Sequence, residues 1–205
     1  MDQTREHILI PWDFSESAEN SLLHAVQLAK VVNNQIVLVH LIDSGGFFSS
    51  KIKPEEIKKI KEKLESKAQD IEDVYQMKPD ILIKEGNVSK SIKSIAEEIS
   101  CNLMIMGEYY RTERTKASAK DLIKTMEDLN VPFIITTGPP NHTHYAEIVV
   151  PIDHDKKFRE ELNWVIYFSR YYHCNINIIK PHYNDMYKKK DLSNNIFFTK
   201  KMLDK

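Results

Sequence analysis

A strand-then-Pro-x-Asp unit occurs twice in this 205-residue chain and constrains its fold more than any other feature. The first copy reads HILIPWDFS (7–15) and the second reads EIVVPIDHD (147–155). An offset of 140 maps Asp13 on Asp153, with the apolar run and the proline in the same register. Apolar runs without alternation indicate strands buried on both faces, as at the centre of a parallel sheet. Since open α/β sheets bind ligands beyond the carboxyl ends of their strands, each aspartate lies at a candidate ligand position.

Strand and helix patterns alternate through residues 1–138. The predicted strands are 8–11, 37–41, 80–84, 103–106 and 131–136, and the predicted helices are 15–33, 54–76, 88–99 and 117–129. In the first helix we expect Ser15 or Ser17 to cap the amino terminus, and Asn33 and Asn34 to terminate the helix at its carboxyl end. Five strands alternating with four helices predict an α/β fold, an open five-stranded parallel sheet with helices on both faces.

A partial second copy is predicted after this domain. Residues 139–145, rich in proline and turn formers, are the predicted linker, and residues 146–205 are the partial copy. Its predicted elements are a strand at 147–151, a helix at 156–172, a strand at 175–180 and, after a lysine-rich turn, a helix near 193–203. Because two parallel strands cannot close a core, we expect this half to pack against the first domain or another chain.

Composition narrows the class of protein. Hydrophobic residues make up 41% and charged residues 29%, as in ordinary soluble domains. A formal net charge of −1 argues against general attraction to nucleic acid or membranes. No apolar run is long enough to span a bilayer, and the first residues have no signal-peptide core. Two cysteines are too few for a disulfide framework, so we predict a cytoplasmic location.

Four motifs taken together resemble the universal stress protein family. They are the P-x-D-F-S start, the VLVHLID second strand, the LMIMG fourth strand and the VPFIIT fifth strand. The resemblance covers residues 5–137 and, more weakly, 146–180. It implies a flavodoxin-like or Rossmann-like sheet, a homodimer and a role in the stress response, and one branch of the family binds ATP.

The ATP-binding branch carries a G-x2-G-x9-G-[ST] signature after its fourth strand. Here the stretch reads GEYYRTERTKASAKD (107–121). Gly107 matches the first glycine and Tyr110 replaces the second. Ala119 or Lys120 stands at the third. Since only one of the three glycines is present, we predict that the ATP-binding motif is eroded. A tyrosine side chain at position 110 would also fill space that the phosphates need.

The resemblance places an adenine at Asp13, with Pro11 and Val39 lining that end of the crevice. The alternative for Asp13 is that it caps the first helix or fixes the loop, and the same is favoured for Asp153. With Gly107, these residues are the nucleotide-binding candidates on the strand ends.

A basic loop supplies further candidates. Arg111, Arg114, Lys116 and Lys120 are able to replace glycine amides with charged phosphate contacts. The alternative is a solvated loop balanced by Glu108 and Glu113. Four aromatic residues are predicted either to pack locally or to cover the crevice or a partner: Phe47, Phe48, Tyr109 and Tyr110.

No residue pattern points to catalysis or to a metal. The pair His142 and His144 lacks the further ligands that a metal site needs, and linker histidines are the favoured interpretation. His24 and His40 are predicted to be structural. Cys101 and Cys174 are predicted to be small buried residues without a neighbouring base.

These observations predict a non-enzymatic stress-response protein that acts through dimerisation or a protein partner. The first alternative is an ATP or nucleotide sensor that uses Asp13, Gly107 and the basic loop. A nucleotide hydrolase is the third alternative and rests on fold analogy alone.

Overall fold

The chain divides into two compact units, Met1–Asn141 and His142–Lys205. The computed structural model describes residues 6–42, 53–86, 88–111, 116–118, 123, 131–141 and 145–204. The predicted linker spans the division between the units.

The first unit is built on a five-stranded sheet in which every neighbouring pair is parallel. Its elements are β1 (His7–Pro11), α1 (Glu16–Val32), β2 (Gln35–Ile42), α2 (Pro54–Tyr75), β3 (Asp80–Glu85), α3 (Val88–Glu98), β4 (Cys101–Gly107), β5 (Tyr109–Arg111), β6 (Lys116–Ser118) and β7 (Phe133–Thr136). The strand order is β3-β2-β1-β4-β7, which confirms the predicted open α/β sheet. Of the two arrangements named above, this order is the Rossmann-like one.

Both faces of the sheet are covered. Leu9 and Val39 point to one face and pack against Ile92 of α3. Ile10 and Leu38 alternate with them on the other face and are equally buried. This is the burial that a continuous apolar run predicts, because polar residues have no solvent-facing position on such strands.

Local sequence signals set the ends of α1 as predicted. The Ser15 hydroxyl accepts a hydrogen bond from the Ala18 N–H at 3.2 Å and so caps the first turn. Asn33 ends the helix in the left-handed conformation, with φ of 55°. These two ends fix where the chain enters and leaves the first crossover.

The stretch after β4 differs from the prediction. Tyr109–Arg111 and Lys116–Ser118 pair as an antiparallel hairpin. The helix predicted for 117–129 therefore does not include residues 117 and 118. Ile123 is helical, and the rest of that prediction lies outside the described residues. The last strand begins at Phe133 rather than at residue 131, and the Pro132 carbonyl accepts from the Met104 N–H at 3.0 Å.

The second unit is a strand-helix-strand-helix segment. It contains β8 (Glu147–Pro151), α4 (Phe158–Tyr172), β9 (Asn175–Ile179) and α5 (Met186–Leu203), with the two strands parallel. The final helix begins seven residues before the predicted start, because Asp185 caps it by accepting from the Lys188 N–H at 2.8 Å. The lysine-rich stretch thus belongs to the amino-terminal part of a helix, whereas it was predicted as a connecting turn.

Several local features of the first unit recur in the second at the offset of 140. The N–H of Trp12 donates to the carbonyl of Val39 at 2.8 Å, and that of Ile152 donates to the carbonyl of Ile179 at 2.9 Å. The left-handed helix end at Asn33 recurs at His173. These matches support a partial second copy, which stays a prediction.

Asn195 fixes α5 to the loop after β8. Its side chain is fully buried, and its amide nitrogen donates to the carbonyls of Asp153 (3.0 Å) and Asp155 (2.9 Å). Its side-chain oxygen accepts from Arg159 at 3.1 Å. The side chain therefore satisfies two loop carbonyls and one guanidinium at once.

Asn195→Ala should destabilise the second unit by about 2–3 kcal/mol, because the two loop carbonyls and Arg159 lose their hydrogen bonds with a buried side chain. The measurement is hydrogen exchange followed by mass spectrometry. Relative to the unmodified protein, we expect faster exchange in peptides from 147–179 and unchanged exchange in peptides of the first unit. The exposed neighbour Asn194 gives the matched control, Asn194→Ala. Equal exchange in the two variants would contradict the role of Asn195.

Candidate functional site: the crevice at the switch point of the sheet

The candidate crevice lies where the strand order reverses, beyond the carboxyl ends of β1 and β4. The chain runs from β1 outward to β2 and β3, and then crosses back to β4 on the other side of β1. Ligands of open α/β sheets bind at such a switch point. Because β1 ends at Pro11 and β4 ends at Gly107, the topology brings these two predicted site residues to one edge of the sheet.

Asp13 holds the turn that leads from β1 into α1. One of its carboxylate oxygens accepts from the backbone N–H of Ser15 at 3.0 Å and also from the Ser15 hydroxyl. That hydroxyl in turn caps α1. The loop-fixing role offered above for Asp13 is therefore present, and its contact with a ligand stays a prediction.

The turn beside Asp13 is locally strained. Phe14 adopts a left-handed backbone with φ of 60°, which is unusual for a bulky residue. Its ring contacts the rings of Trp12 and His40, with centroids 6.2 and 5.3 Å away. His40 Nδ1 lies 2.7 Å from the carbonyl oxygen of Trp12, so this histidine is structural as predicted.

Tyr110 fills the space beyond the end of β1. Its side chain is only 3% exposed and belongs to the apolar cluster that contains Val39, Leu41 and Met106. Its hydroxyl accepts a hydrogen bond from the Leu41 N–H at 3.0 Å. The ring therefore lies in the core, and of the two outcomes predicted for this residue it packs locally.

The hydrogen bond from Leu41 explains why the phenol fits there. The last bond between β1 and β2 runs from the Trp12 N–H to the Val39 carbonyl. Because alternate residues of a strand face the same neighbour, the Leu41 N–H is the next donor on that side, beyond the end of β1. The Tyr110 hydroxyl satisfies this donor, which the sheet itself leaves without a partner.

Burial keeps the Tyr110 phenol neutral. Loss of hydration raises its pKa well above the ordinary value, and the nearby charge of Asp13 acts in the same direction. The hydroxyl, bound to the Leu41 N–H, thus reaches the end of the crevice that Pro11 and Val39 are predicted to line, and both of these residues are buried. The sequence predicted that the Tyr110 ring fills the phosphate space. In the structure its hydroxyl instead reaches β2, on the predicted adenine side.

Gly107 is a glycine for a reason that needs no ligand. A Cβ atom on Gly107 would lie 1.8 Å from Oγ of Ser17 and 2.8 Å from the Ser17 carbonyl oxygen. The end of β4 therefore packs directly against the first turn of α1. Close approach of a strand to a helix is a common requirement for glycine, beside the close approach of a phosphate.

The basic candidates are only partly described. Arg111 is the last residue of β5 and Lys116 is the first residue of β6. Arg114 and Lys120 lie outside the described residues, as do the loop aromatics Phe47 and Phe48. The anion-binding role of this loop therefore stays a prediction.

The other predicted residues have local structural contacts. Cys101 is buried and Cys174 half-buried, and burial raises the pKa of both thiols. His24 Nε2 lies 3.1 Å from the Gly138 carbonyl oxygen, a structural contact. Asp153 accepts from the Asp155 N–H at 2.7 Å, as favoured for this residue.

Two further features concern only the part of the chain that the structure describes. There, no three His, Cys, Asp or Glu side chains come together as a metal ion would require. In the same residues, no helix combines the length and the apolar character needed to cross a bilayer.

Comparison with known proteins identifies the family. The family model described as the universal stress protein family matches residues 4–117, more than half of the chain. The chain belongs to the universal stress protein family. Universal stress protein MJ0577 of Methanocaldococcus jannaschii is 27% identical over 126 residues, covering 51% of this chain and 77% of that protein.

Solved structures agree on the fold. A universal stress protein from Archaeoglobus fulgidus aligns with a TM-score of 0.68 at 18% identity, covering 95% of this chain and 73% of that chain. Universal stress protein UspA from Lactobacillus plantarum aligns with a TM-score of 0.51 at 15% identity, covering 65% and 99%. At these identities the likeness concerns the fold alone.

Proposed function

We propose that this universal stress protein is a non-enzymatic stress-response protein whose ligand crevice is filled by its own Tyr110. It acts through dimerisation or a partner surface rather than through nucleotide binding. The observation that carries the proposal is the buried phenol and its hydrogen bond with the Leu41 N–H. An aromatic ligand entering beside Asp13 would have to displace that ring.

The free energy needed to move the Tyr110 ring out of the crevice supports this choice. Moving a buried ring into water costs about 2–3 kcal/mol, and breaking its hydrogen bond costs about 1 kcal/mol more. A closed state favoured by about 3 kcal/mol weakens the apparent affinity for a ligand roughly 100-fold. A site with an intrinsic Kd of about 10 μM for ATP would then bind with an apparent Kd of about 1 mM.

The alternative function is an ATP or nucleotide sensor. It is supported by family membership, by Asp13 at the switch point, and by the basic residues predicted to contact phosphates: Arg111, Arg114, Lys116 and Lys120. Gly107 does not favour it, because the contact with Ser17 already accounts for that glycine. The two functions differ in whether the crevice of the unmodified protein binds ATP.

Calorimetric titration of ATP with magnesium into the full chain separates them. For a filled crevice we expect no saturable heat below about 1 mM ATP, while circular dichroism shows a folded protein. Asp13→Ala and the matched Asp153→Ala are titrated alongside. Micromolar binding that is lost in the first variant and kept in the second would overturn the proposal and establish the sensor.

A further inference from the structure

The final helix, α5, packs on the second unit through a narrow inner stripe. Leu192, Asn195 and Thr199 are buried there, and Ile196 is half-buried against Val150 and its neighbours. These positions lie three or four residues apart, so they share one side of the helix. The opposite side of α5 faces solvent.

That solvent-facing side carries large apolar residues. Met186, Tyr187 and Phe197 are 79%, 82% and 70% exposed. Met186, Lys190, Phe197 and Lys201 follow one another at spacings of four, seven and four, which places them in one line along the helix. We name Met186, Tyr187, Lys190, Phe197 and Lys201 the outer face of α5.

The same helix concentrates positive charge. It holds five lysines, all exposed (Lys188, Lys189, Lys190, Lys200 and Lys201), and a single acidic residue, Asp191. Within the described residues none of these lysines forms an ion pair. Helix α2 is also lysine-rich but differs, since three of its lysines pair with glutamates, in Lys58–Glu62, Lys61–Glu65 and Lys67–Glu19.

We propose that the outer face of α5 docks on an anionic lipid bilayer surface. Lysines beside an anionic membrane strengthen binding by their charge, and their ammonium groups reach the phosphates while neighbouring apolar side chains enter the headgroup boundary. The near-zero charge of the whole chain predicted no such attraction, but that total averages over both units. This inference does not depend on whether the crevice binds a nucleotide.

The shape and chemistry of the face favour a bilayer over single-stranded nucleic acid. Single strands are bound in basic grooves with stacking platforms, and the side of one helix forms no groove. A phosphate backbone offers no apolar surface to Met186 and Phe197. A bilayer offers both phosphates and acyl chains at one flat boundary.

Vesicle co-sedimentation of the full chain tests the proposal. We expect binding to vesicles of equal parts phosphatidylglycerol and phosphatidylcholine, and none to pure phosphatidylcholine. Lys190→Gln and Lys201→Gln on the outer face, combined with Lys189→Gln at the exposed position beside it, should lower the partition coefficient roughly 100-fold. Glutamine keeps helix propensity, so the helix is retained.

Two matched variants separate the surface from total charge. Lys58→Gln, Lys59→Gln and Lys61→Gln remove the same charge from exposed positions of α2 and should leave binding within about twofold. Tyr187→Ser with Phe197→Ser keeps every lysine and should weaken binding at high salt, where insertion dominates. The proposal is overturned if the α2 variant loses as much binding as the α5 variant. Binding to single-stranded RNA without vesicle binding would also overturn it.

Discussion

Replacing Tyr110 with alanine is expected to destabilise the first unit by about 3–5 kcal/mol, the usual cost of removing a buried aromatic ring. The ring is 3% exposed and packs against Val39, Leu41 and Met106, so its loss leaves a cavity among apolar side chains. The Leu41 N–H also loses its acceptor. In thermal unfolding this corresponds to a decrease in melting temperature of roughly 10 °C.

The cavity left by Tyr110→Ala gives a direct test of what the crevice accepts. Because alanine keeps the Cβ atom, the group that is removed corresponds to phenol, and adding phenol should restore part of the lost melting temperature through binding to the folded state. Adenosine should do the same if the space suits a purine. Unmodified protein should respond to neither compound, since its ring already fills the space. Equal stabilisation of both proteins would contradict a filled crevice.

Tyr110→Phe isolates the hydroxyl. The ring remains, but the buried Leu41 N–H loses its acceptor, which costs about 1–3 kcal/mol. Burial raises the pKa of the folded Tyr110 phenol above the value of about 10 found in unfolded chains. The stabilisation by the neutral phenol is therefore complete below the unfolded pKa of about 10, and it is lost as the pH rises from there toward the folded pKa. In urea unfolding, the difference between unmodified protein and Tyr110→Phe should shrink between about pH 8 and pH 11.

Local rules were sufficient for most of the first unit. The unbroken apolar run of β1, the Ser15 cap and the Asn33 end each follow from a few neighbouring residues, and each was predicted correctly. The order of the elements then left few topologies open, because parallel crossovers are right-handed. The error at α5 has a local cause as well. The cap at Asp185 outweighed the lysine run, and lysine is a good helix former.

The position of Tyr110 required the tertiary structure. Its own segment is polar and was predicted as a loop, whereas the hairpin of β5 and β6 directs the ring to Leu41, which lies 69 residues earlier in the chain. No local signal specifies such a contact. The sequence showed that Tyr110 stands where the related signature has a glycine. It did not show which end of the crevice the tyrosine side chain occupies.

Gly107 is a second position where sequence and structure suggest different reasons for one residue. The family signature suggested contact with a ligand, whereas the structure shows close packing against Ser17. Gly107→Ala is expected to cost about 1–3 kcal/mol, the usual penalty for overpacking. The Ser17 hydroxyl is able to rotate away from the new methyl group, but Ser17 Cβ and the Ser17 carbonyl oxygen, each 2.8 Å from it, are held by α1. Gly107→Val should cost more, because its two extra methyl groups enter the same contact.

A double-mutant cycle decides whether packing is the reason for this glycine. Ser17→Gly removes Oγ and Cβ, so Gly107→Ala should cost at least about 1 kcal/mol less in the Ser17→Gly background than in the unmodified protein, measured by urea unfolding. Gly138→Ala serves as the control, because a Cβ atom there meets no atom within 4 Å and should change stability little. If the cost of Gly107→Ala were the same in both backgrounds, the contact with Ser17 would not explain Gly107. The glycine would then have to be explained by what enters the crevice.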